Sequence, residues 1–324
     1  MKNYRRMALH PTRYQGWGQS RRYFEGWYFK LVDPELDVAY AIIPGVSMGE
    51  DGEQHAFIQV LDGVAATSSY HRFAFEEFQA KKDRFAVSIG ENHFSADELE
   101  LNLSDLKMKV TNKVAVPWPS RRAAPGVMGW YGYVPGMQCY HGLVSLHHRL
   151  EGWLEDQNGK RAFSKQAVGY IEKDWGKSFP NAWVWLQSNH LNHPAPNSLM
   201  VSVADIPWLG TSFVGFLSTF LFDGELHTLA TWTGAKAKLH FKANQVTIEL
   251  SDKKRLLRVT GRPGAGGDLA SPIQGAMTGK INESLRAELA VSFRYRGELL
   301  YEGEAGWAGL EVTDNAEKAL AGIG

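Results

Sequence analysis

Hydrophobic and polar positions alternate with a period of two along most of the chain. Runs such as "YFEGWYFKLV", "VAYAIIPGV", "HAFIQVL", "RFAVSIG", "AWVWLQSNHL", "SLMVSVADI", "QVTIELS" and "AELAVSFRY" carry the pattern. A period of two puts successive side chains on opposite faces, so each run predicts a strand. Turn chemistry separates the runs: Asp223-Gly224, Asn158-Gly159 and Gly90-Glu91-Asn92 suit tight hairpins. A helical period is scarce. The C-terminal "TDNAEKALAGI" predicts one short helix opened by a Thr or Asp cap. The class is therefore all-β. With roughly 18 strand-like segments, the chain exceeds a single barrel of about eight strands, so two consecutive barrels or sandwiches are expected.

Three stretches break the alternation. Residues 116–142, rich in proline, glycine and rings, predict a long ordered loop of the kind that often carries function. The glycine-rich "TGRPGAGGDLASPIQG" at 260–275 lacks a phosphate-loop signature and predicts a flexible rim loop. The apolar "IPWLGTSFVGFLSTFLF" at 206–222 is interrupted by Pro207 and two glycines, and predicts buried strands rather than a membrane span.

Composition narrows the function classes. The chain has 324 residues with 35 basic and 35 acidic side chains, and a net charge of zero argues against a nucleic-acid partner. Cys139 is the single cysteine, which rules out an intramolecular disulfide and a cysteine-based zinc site. The N-terminal "MKNYRRMALHPTRY" has no apolar segment behind its positive charge. A cytoplasmic location, compatible with peripheral membrane contact, is the expectation. The 11 Trp, 12 Tyr and 16 Phe supply rings for cavities as well as for cores.

Two segments bring carboxylates among rings. In "YFEGWYFK", strand geometry sets Glu25 on one face with Tyr23, Trp27 and Phe29, and sets Phe24, Tyr28 and Lys30 on the other. An unpaired carboxylate in that setting has its pKa raised and can donate a proton; a carboxylate paired with an arginine is the structural alternative. In "GYIEKDWGKSFPNAWVWLQSN", Tyr170, Glu172 and Asp174 share a face, and beyond the turn Trp183, Trp185, Gln187 and Asn189 share another. Two carboxylates at i and i+2 repel, and two indoles followed by two amides suit a pocket with an apolar floor and a polar end. Gln138 and His141 close the long loop. His147 and His148 are adjacent, and His190 and His193 lack a third ligand at a recognisable spacing, so no metal site is expected. The chain has no G-x-S-x-G, and Cys139 near His141 has no evident orienting partner.

"FEGWYFK", "YHGLVSLHHRLEGWLE", "EKDWGKSFPNAWVWLQSN" and the stretch from "GRPGAGGDL" to "GWAGLEV" together resemble the tocopherol cyclase family, from about residue 10 to 313. The resemblance implies two lipocalin-like antiparallel β-barrels in tandem, divided here as residues 1–178 and 179–324. It also implies kinship with carotenoid hydratases. Activity in that family is protonation of a prenyl double bond and closure of a chromanol ring by a phenol, without a metal or redox cofactor. On that basis Glu172, Asp174 and Glu25 are candidate acids. Trp27, Tyr28, Trp175, Trp183 and Trp185 are candidate walls for a cation, and Gln138, His141, Gln187 and Asn189 are candidate orienting groups. The plant pattern has Asn where this chain has Asp174, which favours Glu172 as the matching acid. A barrel that carries a hydrophobic small molecule without chemistry is the alternative reading, and the oligomeric state is left open.

Overall fold

The computed structural model describes residues 8–208 and 210–320. The described residues are mostly strand, with a short helix, α1 (Ala316–Leu320), and a few single 3-10 turns. The strands form two antiparallel barrel-like sheets, as a pair of lipocalin-like barrels requires. The first holds β1 (Tyr23–Asp33), β2 (Val38–Met48), β3 (Gln54–Asp62), β4 (Thr67–Ala74), β5 (Phe78–Ala80), β6 (Ala86–Ile89), β7 (Asn92–Ser95), β8 (Glu98–Asn102), β9 (Lys107–Val116), β10 (Cys139–Asp156), β11 (Gly159–Ala162) and β12 (Val168–Gly176). Its order is β4-β3-β2-β1-β12-β10-β9-β8-β7-β6-β5, with β11 against β10. The second holds β13 (Ala182–Ser188), β14 (His190–Leu191), β15 (Ser198–Trp208), β16 (Thr211–Phe222), β17 (Glu225–Thr228), β18 (Lys236–Lys242), β19 (Gln245–Ser251), β20 (Arg255–Arg262), β21 (Gly267–Ile273), β22 (Ala276–Tyr295) and β23 (Glu298–Val312).

The chain forms two compact units. One contains the residues up to Asp62, 68–179 and 270–279; the other contains 63–67, 180–269 and those from Lys280 on. In the first unit the inward face of β1 is the aromatic one. Tyr23, Trp27, Phe29 and Leu31 join Ile42, Ile58, Phe85, Phe94 and Leu154 in one apolar core. Trp27 stacks on Phe85 at 5.2 Å with nearly parallel rings, and Phe29 sits 5.8 Å from Phe94. Many of the rings are therefore core rather than cavity wall. Truncating one such ring costs about 3–5 kcal/mol. The outward face of β1 is buried too: Phe24, Tyr28, Lys30 and Val32 are all less than 9% exposed. A strand buried on both faces has room for chemistry on one and packing on the other.

In the second unit the core is built from Val184, Leu186, Val201, Phe220, Ile248, Phe293 and Leu310, with Phe220 and Phe293 at 5.0 Å. The predicted Asp223-Gly224 turn joins β16 to β17 with both residues at positive φ, the backbone of a two-residue hairpin. Segment 206–222 forms the end of β15 and all of β16, paired from Trp208↔Thr211 onward. Among the described residues no helix is long and apolar enough to cross a membrane.

The glycine-rich 260–275 is not a flexible rim loop. It is the end of β20, a short link and β21. A Cβ at Gly264 would meet Arg286 O at 2.7 Å, and one at Gly266 would meet Glu283 O at 2.6 Å. These glycines mark close approach of two backbones, which composition alone cannot separate from flexibility.

Candidate active site

Strand β12 runs between β1 and β10 and carries the sequence Tyr170-Ile171-Glu172-Lys173-Asp174-Trp175. Alternation divides it. Ile171, Lys173 and Trp175 turn to the core, across from Phe29, Trp27 and Glu25 of β1. Tyr170, Glu172 and Asp174 turn outward, across from Lys30, Tyr28 and Gly26. On the other side β10 sets His141 opposite Asp174 and Leu143 opposite Glu172. His141 and the two acids thus meet on one sheet face, although His141 and Asp174 lie 33 residues apart in the chain.

The His141 ring lies between the two carboxylates. Nδ1 is 2.9 Å from Asp174 Oδ1, and Nε2 is 3.4 Å from Glu172 Oε2, an ion-pair distance longer than a hydrogen bond. The Tyr170 hydroxyl donates to Glu172 Oε2 at 2.6 Å. The His141 backbone N–H points at Met128 Sδ, 3.1 Å away, which fixes the strand to the long loop. Burial opposes a charge on the imidazole, but Asp174 and Glu172 outweigh it and hold His141 well above its ordinary pKa. The ring is an imidazolium at neutral pH. Tyr170 is pushed well up, first by burial and then by Glu172, so its O–H stays a donor. Burial and then Asp174 likewise push the Cys139 thiol well up, which keeps it un-ionised and a poor nucleophile.

The same three side chains can offer ligand atoms within 4.8 Å of one another, one imidazole and two carboxylates. No such set was expected from the sequence, because the third group comes from a neighbouring strand. Searching for ligands along one chain segment cannot find it.

Glu25 lies on the opposite face from this cluster, among Tyr23, Trp27 and Phe29 as the alternation predicts, and is fully buried. Its partner is a lysine, not an arginine. Lys173 Nζ lies 2.6 Å from Glu25 Oε1. Tyr23 O–H donates to Oε2, and the Gln15 backbone N–H bridges both oxygens at 2.9 Å. Lys173 also donates to Pro11 O at 3.0 Å and to Arg13 O, and its ammonium sits 4.4 Å from the Trp175 ring and 5.1 Å from the Trp27 ring. Burial pushes Lys173 down to about 8, which leaves it charged at neutral pH. Burial also raises Glu25, against Lys173, Tyr23 and Gln15. We read the pair as ionic, because three acceptors and two rings surround the ammonium and three donors surround the carboxylate. Trp27 and Trp175 therefore wall this ion pair rather than the His141 cluster. Trp27 Nε1 donates to Thr12 O, and Trp175 stacks on Tyr140 at 5.4 Å. Gln138 is a tether: its side-chain amide donates to Phe179 O at 2.7 Å. Tyr28 is the ring across the strand pair from Glu172.

In the second unit, Trp183, Trp185 and Gln187 of β13, followed by Asn189, share the face opposite the core, while Val184 and Leu186 turn inward. Trp185 pairs with Glu311 across β23 and Gln187 with Gly309. Trp183 Nε1 donates to Glu311 Oε2 at 2.6 Å. Gln187 donates to Asn189 Oδ1 at 2.7 Å, and Asn189 donates to Asn197 O. Gly309 lets the Trp185 ring lie flat against β23, since a Cβ there would come 2.6 Å from Cζ3. Glu311 and the fully buried Glu283, paired with it across β22 and β23, were not expected from the sequence. The pairing of β22 with β23 next to them is broken by bulges, beginning between Ser284 and Ala287.

A profile of the family described as tocopherol cyclase-like matches residues 100–314. That stretch takes in β10, β12 and the whole of the His141, Glu172 and Asp174 cluster. The chain belongs to the tocopherol cyclase-like family. Its likeness to a chloroplastic tocopherol cyclase of Zea mays is 25% identity over 109 residues, which is 33% of this chain and 23% of that protein. A rice protein, from Oryza sativa subsp. japonica, named as a probable chloroplastic tocopherol cyclase gives the same figures. The matched stretch thus spans about a quarter of these relatives. Among solved structures, an AttH protein of Nitrosomonas europaea aligns with TM-score 0.53 and 14% identity over 90% of this chain and 92% of its own. CghA, solved with Sch210972, aligns with TM-score 0.56 and 10% identity over 90% and 88%. At these identities the two structures speak for the tandem-barrel fold of the tocopherol cyclase-like family and for nothing finer.

Proposed function

We propose that the protein is an enzyme that protonates an isolated double bond of a prenylated phenol or terpenoid, and that the cation is then captured by an internal phenol or by water. The observation that carries this reading is the buried His141 imidazolium held between the Glu172 and Asp174 carboxylates. Such a group stores a proton at neutral pH in a place sheltered from water, which is what protonating a weakly basic alkene demands. Glu172 is the acid. Its carboxyl takes the proton from His141 Nε2 and transfers it to the less substituted alkene carbon. A C–H bond forms, the O–H bond breaks, and the charge passes to the tertiary carbon. The phenol oxygen then forms the C–O bond and loses its proton to the cluster, so the sequence is an isomerisation with no net change in protons or electrons. In hydration, water takes the place of the phenol. Tyr170 holds the Glu172 carboxyl in orientation, and Asp174 keeps the imidazole charged and aligned. Tyr28 offers a ring face across the strand pair from Glu172.

The test is incubation of purified protein with a panel of prenylated hydroquinones and acyclic terpenoids in deuterated water. Expected products carry one deuterium on the former alkene carbon, by mass spectrometry. A folded protein that turns over nothing on the panel, and from which a hydrophobic molecule is extracted unchanged, would point instead to the carrier reading.

A further inference from the structure

Residues 106–150 contain no aspartate or glutamate, although the whole chain is balanced in charge. The stretch holds Lys107, Lys109, Lys113, Arg121, Arg122 and Arg149. It includes the long loop that leaves β9 and returns at β10. Two large apolar side chains of that region stand out in water: Trp130 is 50% exposed and Val114 is 67% exposed. Val114 is also a β-branched residue at φ 52, a conformation that costs energy. It sits where β9 takes two residues against one of β10, between the pairs His147↔Val116 and Arg149↔Lys113. That bulge aims the valine outward.

The loop is built to hold this display. Tyr133 O–H donates to Arg122 O at 2.7 Å, Trp118 Nε1 donates to Ala124 O, and Arg121 and Ala124 form a β-bridge. Trp130 stacks on Tyr131 at 3.9 Å. Lys113, Arg121 and Arg122 are exposed in the same segment. An exposed indole stacked on a half-buried phenol ring, in a loop that carries two exposed arginines and no acidic residue, matches the headgroup zone of a bilayer, where rings enter the interface and guanidinium groups meet phosphates. Only Gly129 separates Trp130 from Met128, whose sulfur meets the backbone N–H of His141.

We infer that this loop, with Val114 at its base, docks the protein on an anionic lipid surface. Docking is a binding property and stands whether or not the proposed turnover is found. The experiment is flotation of the full chain with vesicles of phosphatidylcholine, with or without about 30% phosphatidylglycerol. Binding to the anionic vesicles, lost at high salt, is expected. Arg121→Glu with Arg122→Glu is expected to weaken partition by about 25-fold or more, counting about fivefold per cation lost. Trp130→Ser should weaken it without changing the melting temperature, because the ring is already half in water. Lys253→Glu with Lys254→Glu, an exposed basic pair in the other unit, should leave binding unchanged. Equal binding to both vesicle types, or loop variants that float like the parent, would overturn the assignment. So would a loop that captures a protein while ignoring vesicles.

Discussion

Replacing Lys173 by methionine removes one charge from the interior while nearly preserving volume. The ammonium pairs with Glu25 at 2.6 Å, and it also bonds Pro11 O and Arg13 O. In Lys173→Met these acceptors remain buried, and only Tyr23 and Gln15 still serve the carboxylate. Removing one side of a buried pair costs about 3–5 kcal/mol. Glu25 recovers part of that by taking up a proton, as burial already raises its pKa. Replacing both partners, Glu25→Gln with Lys173→Met, leaves no stranded charge and should cost at least about 2 kcal/mol less than the two single changes summed. With a slope of about 2–3 kcal/mol/M, the single variant should unfold at a urea midpoint about 1–2 M below the parent. A Lys173→Met midpoint equivalent to less than about 1 kcal/mol, or a cycle with no coupling, would refute the view that the ion pair staples residues 11–15 to the barrel.

Other expectations concern the cluster and the second unit. Glu172→Gln should lower kcat by about 10²–10⁴ with the fold intact, in steady-state assays on whichever substrate turns over. Tyr170→Phe, which removes one hydrogen bond to that carboxyl, should lower it by about 10–100-fold. An unfolded His titrates near 6.5 and His141 in the fold well above that. Between those values the folded chain binds the extra proton. The His141 contribution to stability is therefore full below pH 6.5 and is lost as pH rises through the folded value. Melting temperature against pH should show that alkaline decline, and His141→Asn should flatten it. Gly309→Ala drives a methyl against the Trp185 ring and should destabilise the second unit by about 1–3 kcal/mol, measured by denaturant titration.

Much of the fold can be read from alternation, because a period of two is the direct signature of a strand with distinct faces. The partition of β1 into Tyr23, Glu25, Trp27 and Phe29 against Phe24, Tyr28 and Lys30 follows from it, as does the shared face of Tyr170, Glu172 and Asp174. Strand partners are another matter. That β12 inserts between β1 and β10 is a long-range pairing, and it alone sets His141 between two carboxylates and gives Glu25 its lysine. Lys173 could be placed inward by the same parity as Ile171 and Trp175, yet a lysine flanked by two acids reads as a surface residue. The glycines of 260–275 were misleading because glycine serves both mobile loops and tight backbone contacts. The bulge that exposes Val114 depends on one extra residue against β10, which no single-strand pattern reveals.

The division of β12 into an inward lysine flanked by two outward acids makes the strand a frame that does not tolerate a change of length. Deleting or inserting one residue between Tyr170 and Trp175 would exchange the faces beyond that point. An acid would then be driven into the aromatic core and Lys173 would turn outward, so the stability of the barrel and the chemistry of its surface would fail together. Gaps in alignments of relatives should therefore fall outside this stretch.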